Sequence, residues 1–411
     1  MNVVKNAQAR SGAGISGALF AALLRGLRAG ALTVAMPDGR QHRFAGLAPG
    51  PSARVAVRDA SAARRVLLGG NIGAAEGYIE GAWDTPDLEA VLELAVENMS
   101  LGWAAAVPHV LRPIQRLLHA ANDNDPRGGS RRNIARHYDL GNDFYELWLD
   151  PSMTYSSACD VDETGPDATQ PLTPEQLECA QRRKWDRVLE LIEPKRGEHV
   201  LEIGCGWGGF ALHAARETGC HVTGLTLSEE QARLARVRVE EAGLDGLVDI
   251  RLQDYREVSG TFDRIASIEM FEAVGAKWWP TFFGRVKELL APGGAAALQT
   301  ITIADEIFEH YRRHPDFIQH FIFPGGMLPS FERFAAAARD NGLTLDEPRF
   351  FGQDYHRTLG AWSARFEDVL PRVRDLGFDE KFIRMWRYYL AYCRVGFDHG
   401  GIDVMQVRLE S

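Results

Sequence analysis

Long hydrophobic runs are missing from this sequence. Near its start the longest apolar stretch, residues 18–24, is closed by Arg25 and Arg28 and falls far short of a bilayer span. Neither a transmembrane helix nor a signal peptide is expected. Cysteine is scarce: the five present (Cys159, Cys179, Cys205, Cys220, Cys393) are odd in number, unclustered and without a CxxC pair. That argues against a disulfide framework and a zinc site, and fits a reducing cytoplasm. Excess positive charge is absent too, the formal charge being −10, so nonspecific nucleic-acid binding is not expected. The exception is local. Six arginines (Arg112, Arg116, Arg127, Arg131, Arg132, Arg136) stand against two aspartates (Asp123, Asp125) between Leu111 and Arg136. Such a segment suits anionic headgroups on the inner face of a membrane, or equally a solvated linker face.

With 45% hydrophobic and 25% charged residues over 411 positions, the chain has the composition of a folded protein and the length of two domains. Residues 1–120 read as a smaller α+β domain, a candidate for lipid or membrane contact. It has a short amphipathic helix over 17–27, strands over 32–35 and 54–57, and a helix over 88–96, with no motif of known chemistry. Turn formers in the stretch ANDNDPRGGS, residues 121–130, place a linker at 121–132.

From residue 133 to 411 strands and helices alternate. Thr173-Pro174-Glu175-Gln176 opens a helix with a capping box. Strands follow at 199–203, 221–227, 248–253, 262–268 and 295–303. Helices lie at 210–216, at 229–242 after the capping box Ser228-Glu229-Glu230-Gln231, and at 278–290. The pattern predicts an α/β domain with a parallel sheet, helices on both faces, and ligands at the carboxyl ends of the strands.

After the first of these strands comes Glu202-Ile203-Gly204-Cys205-Gly206-Trp207-Gly208-Gly209, a turn that lets backbone approach a ligand and starts a helix. A dinucleotide site wants an acidic residue at the end of the second strand. Here that strand ends Gly224-Leu225-Thr226-Leu227-Ser228, while the third ends Leu252-Gln253-Asp254-Tyr255. A carboxylate and an amide at that place can hydrogen-bond an adenine edge, which favours S-adenosylmethionine over a nicotinamide cofactor.

Other segments complete a pattern. They are Ile134 to Tyr145 (IARHYDLGNDFY), Met153-Thr154-Tyr155-Ser156, Met270-Phe271-Glu272, Ile322-Phe323-Pro324-Gly325-Gly326, Gly352-Gln353-Asp354-Tyr355 and Tyr388 to Cys393. In these the chain resembles the cyclopropane-fatty-acyl-phospholipid synthases and the related mycolic-acid methyltransferases, from about Asn133 to the C-terminus. The resemblance implies a Rossmann-like S-adenosylmethionine-dependent methyltransferase domain with a mostly parallel, seven-stranded sheet and an acyl-pocket insertion near 304–345. It also implies cofactor contacts by Tyr155, Ser156, Gly204, Cys205, Gly206, Gly208, Thr226, Leu227, Gln231, Gln253, Asp254 and Tyr255. A homodimer is a further expectation, and an unsaturated membrane phospholipid the expected partner.

An alkene is a poor nucleophile, so the sulfonium methyl must be held in near-attack geometry. The resulting carbocation needs a dry pocket with aromatic faces, for which Tyr138, Phe144, Tyr145, Trp148, Phe321, Phe323, Tyr355 and Trp362 are candidates. The same rings are explained by core packing.

Ring closure then needs a base. The resemblance implies a bound bicarbonate held by a glutamate, a tyrosine, a histidine and a cysteine near a backbone group. Glu272 and Tyr355 match the first two, and Ile301 falls near the backbone position. Gln299 stands for the histidine, Ser157 for the cysteine, and Ala273 replaces the histidine after the glutamate. Cys393 matches a cysteine counted in the family's active site. The expected product is a cyclopropane fatty acid, with a methyl-branched unsaturated chain as the alternative, and Glu272→Gln is expected to abolish most product. His310 and His314 share a helix face, but Pro315 follows and no third ligand is evident, so no metal is expected. A noncatalytic lipid-binding protein and a small-molecule O- or N-methyltransferase are the rival readings.

Overall fold

A computed structural model describes residues 15–100, 140–161 and 170–411. The whole arginine-rich segment, the expected linker and Tyr138 lie outside the described residues. The chain divides into two compact units, Met1–Arg112 and Pro113–Ser411.

The first unit runs α1 (Ile15–Leu24), β1 (Ala29–Ala35), β2 (Gln41–Ala45), β3 (Ala48–Val57), α2 (Ser61–Ile79), β4 (Trp83–Asp84) and α3 (Leu88–Ser100). Its sheet has the order β2-β1-β3-β4. Leu32 and Val34 point from β1 into a core with Leu24, Leu27, Ala53 and Leu94. Asn98 is fully buried and satisfied: its Oδ1 accepts from Arg28 N and Ala29 N, and its Nδ2 donates to Ala29 O and Leu94 O. Helix α2 was not foreseen because four glycines weaken its pattern. One of them, Gly70, breaks it with φ +61, and a Cβ at Gly73 would fall 2.0 Å from the Arg65 carbonyl oxygen.

The second unit begins with α4 (Asn142–Glu146) and α5 (Pro174–Ile192). The alternation β5 (His199–Ile203), α6 (Gly209–Thr218), β6 (His221–Thr226), α7 (Glu229–Glu241), β7 (Val248–Leu252), β8 (Phe262–Ile268), α8 (Trp279–Leu289) and β9 (Leu290–Ile303) follows. Helix α5 starts on the expected reciprocal cap, Gln176 N donating to Thr173 Oγ1 and Thr173 N to Gln176 Oε1. At α7 only half of the expected box forms. Ser228 Oγ accepts from Gln231 N, but the Gln231 side-chain oxygen accepts from Thr226 Oγ1 instead of turning back to the cap.

The sheet order is β10-β12-β9-β8-β5-β6-β7, where β10 is Thr344–Leu345 and β12 is Ile402–Glu410. Strands β5 to β9 pair in parallel and β12 is antiparallel to β9. Eight strands fill the seven expected positions, because β11 (Arg349–Phe350) shares the outer edge of β12 with β10. Successive residues feed opposite clusters: Val200, Ala266 and Ala297 pack with Trp185 and Phe210, whereas Leu201, Ile265 and Leu298 pack with Phe271, Phe282 and Phe334.

Two segments interrupt the alternation. The expected one joins β9 to β10 through α9 (Asp305–Arg313), a π-helical turn (Ile318–Ile322) and α10 (Phe331–Asp340). The second joins β11 to β12 through α11 (Gly352–Asp368), α12 (Leu370–Asp375) and α13 (Glu380–Asp398). It carries Tyr355, Trp362, Trp386, Tyr389 and Cys393. No helix of the described residues is long and apolar enough to cross a membrane.

Candidate active site

The glycine loop sits where β5 gives way to α6. Gly204, Gly206 and Gly208 have φ of +87, +52 and +82, a region in which any other residue is strained. Gly208 caps α6 without a side-chain hydrogen bond, so the bare amide end suits a carboxylate or a hydroxyl of a ligand. Gly204 N and Cys205 N both donate to Leu225 O, tying the loop to β6. These features fit S-adenosylmethionine. Thr226 ends β6, and half-buried Leu227 and buried Gln231 follow just beyond it. Beyond β7, Asp254 accepts from Arg256 N and Nε, both at 2.9 Å, and Gln253 donates to Glu257 O.

Two expected cofactor residues pack their side chains against the protein. The Cys205 side chain lies in the core beside Gly224, and burial holds its thiol well above the usual range; only its backbone belongs to the loop. Tyr255 packs edge-on against Phe282, at 5.4 Å between ring centroids, and burial raises its phenol to about 12.

Three of the expected anion-binding residues assemble, though around a different centre. Ser157 N donates to Glu269 Oε1 at 2.8 Å, Gln299 Nε2 donates to the same oxygen at 2.8 Å, and the Tyr355 hydroxyl donates to Oε2 at 2.8 Å. Glu269 follows β8 with φ +50, a left-handed conformation uncommon for glutamate and worth notice at a ligand edge. Burial pushes its carboxyl up, while Lys184 and these donors pull it down. The sequence signal was available: Glu269 is a second glutamate at the end of a predicted strand, three positions before Glu272.

Glu272, expected to hold an anion together with Tyr355, Ser157 and Gln299, has other hydrogen-bond partners. Its Oε1 accepts from the Thr300 hydroxyl at 3.0 Å and from Ile301 N, while Oε2 is buried without a hydrogen-bond partner. Burial, and then the charge of Glu269, raise its carboxyl to about 8.

Beneath this pair lies Lys184 of α5, wholly buried, with Nζ donating to Ser156 Oγ at 2.7 Å and to Gln181 Oε1. Desolvation lowers its ammonium to about 8. The Tyr155 ring packs on Trp362, Trp148 and Tyr145 at 5.3 to 5.5 Å, and its hydroxyl meets that of Tyr389 at 2.7 Å. Phe144 is core, enclosed by Phe366, Phe378, Phe382 and Trp386. Phe321 packs on Phe317, and Phe323 approaches Tyr389. Cys393 sits one turn beyond Tyr389 on α13, and burial pushes its thiol far up. A neutral thiol is no nucleophile.

The family described as mycolic acid cyclopropane synthetase matches residues 127–407. The tuberculostearic acid methyltransferase of Mycobacterium tuberculosis is 41% identical over 350 residues, covering 84% of this chain and 80% of that protein. The cyclopropane-fatty-acyl-phospholipid synthase of Escherichia coli is 35% identical over 388 residues, covering 91% of this chain and 94% of that protein. A solved mycolic acid cyclopropane synthase, complexed with SAH and CTAB, aligns with a TM-score of 0.62 at 32% identity, over 68% of this chain and 98% of that one. The chain thus belongs to the mycolic acid cyclopropane synthetase family, as an S-adenosylmethionine-dependent fatty-acyl methyltransferase of the cyclopropane synthase type.

Proposed function

We propose that the chain methylates a double-bond carbon in an unsaturated acyl chain of a membrane phospholipid, and that the product is a methyl-branched unsaturated chain. The observation that carries this reading is the set Ser157, Gln299 and Tyr355 closed on a resident carboxylate, Glu269. S-adenosylmethionine supplies the electrophilic methyl. The protein's part is to hold the alkene in line, exclude water, face the developing cation with aromatic rings and receive a proton. Tyr145, Trp148, Tyr155 and Trp362, whose rings pack on one another, are the residues this reading assigns to the second and third of these tasks.

Cyclopropane formation requires an acceptor at the transferred methyl as the second carbon–carbon bond forms. Loss of a proton from a chain carbon beside the cation requires only a carboxylate within reach. A carboxylate pinned by three hydrogen bonds suits the second outcome. The relative at 41% identity and a Pseudomonas putida relative at 37% are both named as methyltransferases, which supports it. Ring closure is the second reading, favoured by the 35% identity with the Escherichia coli synthase over 91% of the chain. That relative also supports phospholipid as the substrate. Peripheral association with the inner face of the membrane is part of the proposal, through the arginine-rich segment, and weakens with added salt.

Purified protein, labelled S-adenosylmethionine and liposomes of unsaturated phospholipid provide the test. Label in the acyl chains, with fragments of a methyl branch by mass spectrometry, supports the proposal. Ring fragments select the second reading, and label confined to the aqueous phase overturns both.

A further inference from the structure

We infer that Glu269 is the proton acceptor of the reaction and stands where an external bicarbonate would otherwise be held. This inference rests on the C-methylation reading above. The resemblance in sequence implies an anion received by Tyr355, Glu272, the backbone near Ile301 and the residues at Ser157 and Gln299. In this chain those donors are committed. Ser157 N, Gln299 Nε2 and the Tyr355 hydroxyl all donate to Glu269, each at 2.8 Å. The Thr300 hydroxyl and Ile301 N donate to Glu272. A bicarbonate entering here would meet two buried carboxyl groups and no open donor among these, so the residues do not fit it.

Glu269 is built into the place. Its left-handed φ of +50 and the bond from its own N to Gln299 O at 2.8 Å fix the backbone at the end of β8, and both carboxylate oxygens are oriented from there. Ser157 and Gln299 offer only neutral donors, which cannot gather a mobile anion by charge. A tethered carboxylate needs no gathering, because its effective concentration is set by the fold. The buried ammonium of Lys184 offsets its charge.

In the step assigned to Glu269, the alkene pair has bonded the methyl carbon and the carbon–sulfur pair has returned to sulfur. A Glu269 oxygen then takes a proton from the carbon beside the cation. The carbon–hydrogen pair becomes the new double bond, and Glu269 becomes a neutral acid that returns its proton to water after product leaves.

Two variants separate the possibilities. Glu269→Gln keeps the shape without the base; Glu269→Gly accepts the positive φ and frees the three donors. In bicarbonate-free buffer, wild-type lipid labelling is expected to be unchanged by adding bicarbonate, and Glu269→Gln to lose about a hundredfold or more. Glu269→Gly is expected to lose as much and to regain about tenfold or more with bicarbonate or formate. A second readout does not depend on turnover: ¹³C-bicarbonate line broadening on protein saturated with S-adenosylhomocysteine is expected for Glu269→Gly and absent for wild type. Wild-type labelling that requires bicarbonate, wild-type bicarbonate binding, or a Glu269→Gln variant with undiminished turnover overturns the inference while leaving C-methylation standing. Wild type that never labels lipid overturns the functional reading, and Glu269's role with it.

Discussion

Gln406 on β12 donates from Nε2 to Oε1 of Gln299 at 2.9 Å, and this bond decides which end of the Gln299 amide meets Glu269. The antiparallel register of β12 on β9 sets these two residues opposite each other. Gln406 is oriented in turn, because its Oε1 accepts from Arg187 Nε at 3.3 Å and a guanidinium only donates. Polarity therefore runs from Arg187 through two amides to the carboxylate. Were the Gln299 amide reversed, oxygen would face oxygen.

Gln406→Glu removes the donor that fixes this order. The expected outcome is a fall in kcat of about tenfold or more, the scale of one net hydrogen bond, with affinity for S-adenosylhomocysteine unchanged. Gln406→Met, which leaves Gln299 unopposed, is expected to lose less. Steady-state lipid labelling and calorimetric binding check the two quantities separately.

Lys184 carries the buried positive charge that draws the Glu269 carboxyl down against burial. Lys184→Met removes that pull, so the Glu269 carboxyl rises further and the acidic limb of the pH–rate profile moves to higher pH. The shift is expected below about pH 8, where the native ammonium is still charged. A profile of kcat from pH 5.5 to 9 decides it, and a limb that stays in place shows that Lys184 acts only as packing.

Glu272 and Glu269 cannot both ionise easily in one buried site. With Glu272 raised to about 8 by burial and by its neighbour, it is the neutral member at pH 7. Glutamine resembles that neutral acid. Glu272→Gln is thus expected to keep turnover at pH 7 within about tenfold of wild type, while Glu269→Gln does not. This reverses the sequence expectation for Glu272, and parallel assays of the two variants test it.

The chain pattern made the sheet legible because parallel strands buried on both faces read as short apolar runs, and β5 and β8 lie where those runs do. The family resemblance, and not the pattern, pointed to Ser157, Gln299 and Tyr355. It did not pair them with Glu269, since no periodicity tells which of two carboxylates at a strand end turns inward; that depends on φ at one residue. Helices α11 to α13 went unread because they lie outside the strand–helix alternation, and their aromatic residues look like ordinary core. The half-formed cap at α7 shows the same limit, since Gln231 chooses Thr226 only once β6 is beside it.

Glu202, next to the last residue of β5, is almost wholly buried and its Oε2 has no hydrogen-bond partner. Desolvation raises its carboxyl to about 8. An acid raised in the folded state contributes stability that is full below its unfolded value, near 4.5, and is lost as pH rises through about 8. Glu202→Gln is expected to match wild type near pH 5 and to exceed it near pH 9, by an amount on the order of a few kcal/mol. Thermal unfolding of both proteins across that range checks the sign.

Two glycines of the cofactor loop separate strain from space. At Gly206, φ is +52 and a Cβ would meet nothing within 4 Å, so Gly206→Ala bears only the left-handed penalty, about 1 to 2 kcal/mol. At Gly204, φ is +87 and a Cβ would fall 2.7 Å from Met270 Cγ and 2.8 Å from Met270 Cβ, and Met270 adjoins Glu269. Gly204→Ala must therefore displace the segment that carries the carboxylate. It is expected to weaken S-adenosylhomocysteine binding more than Gly206→Ala does and, unlike Gly206→Ala, to lower kcat at saturating cofactor. Equal effects of the two variants on kcat would show that the loop and the Glu269 segment move independently.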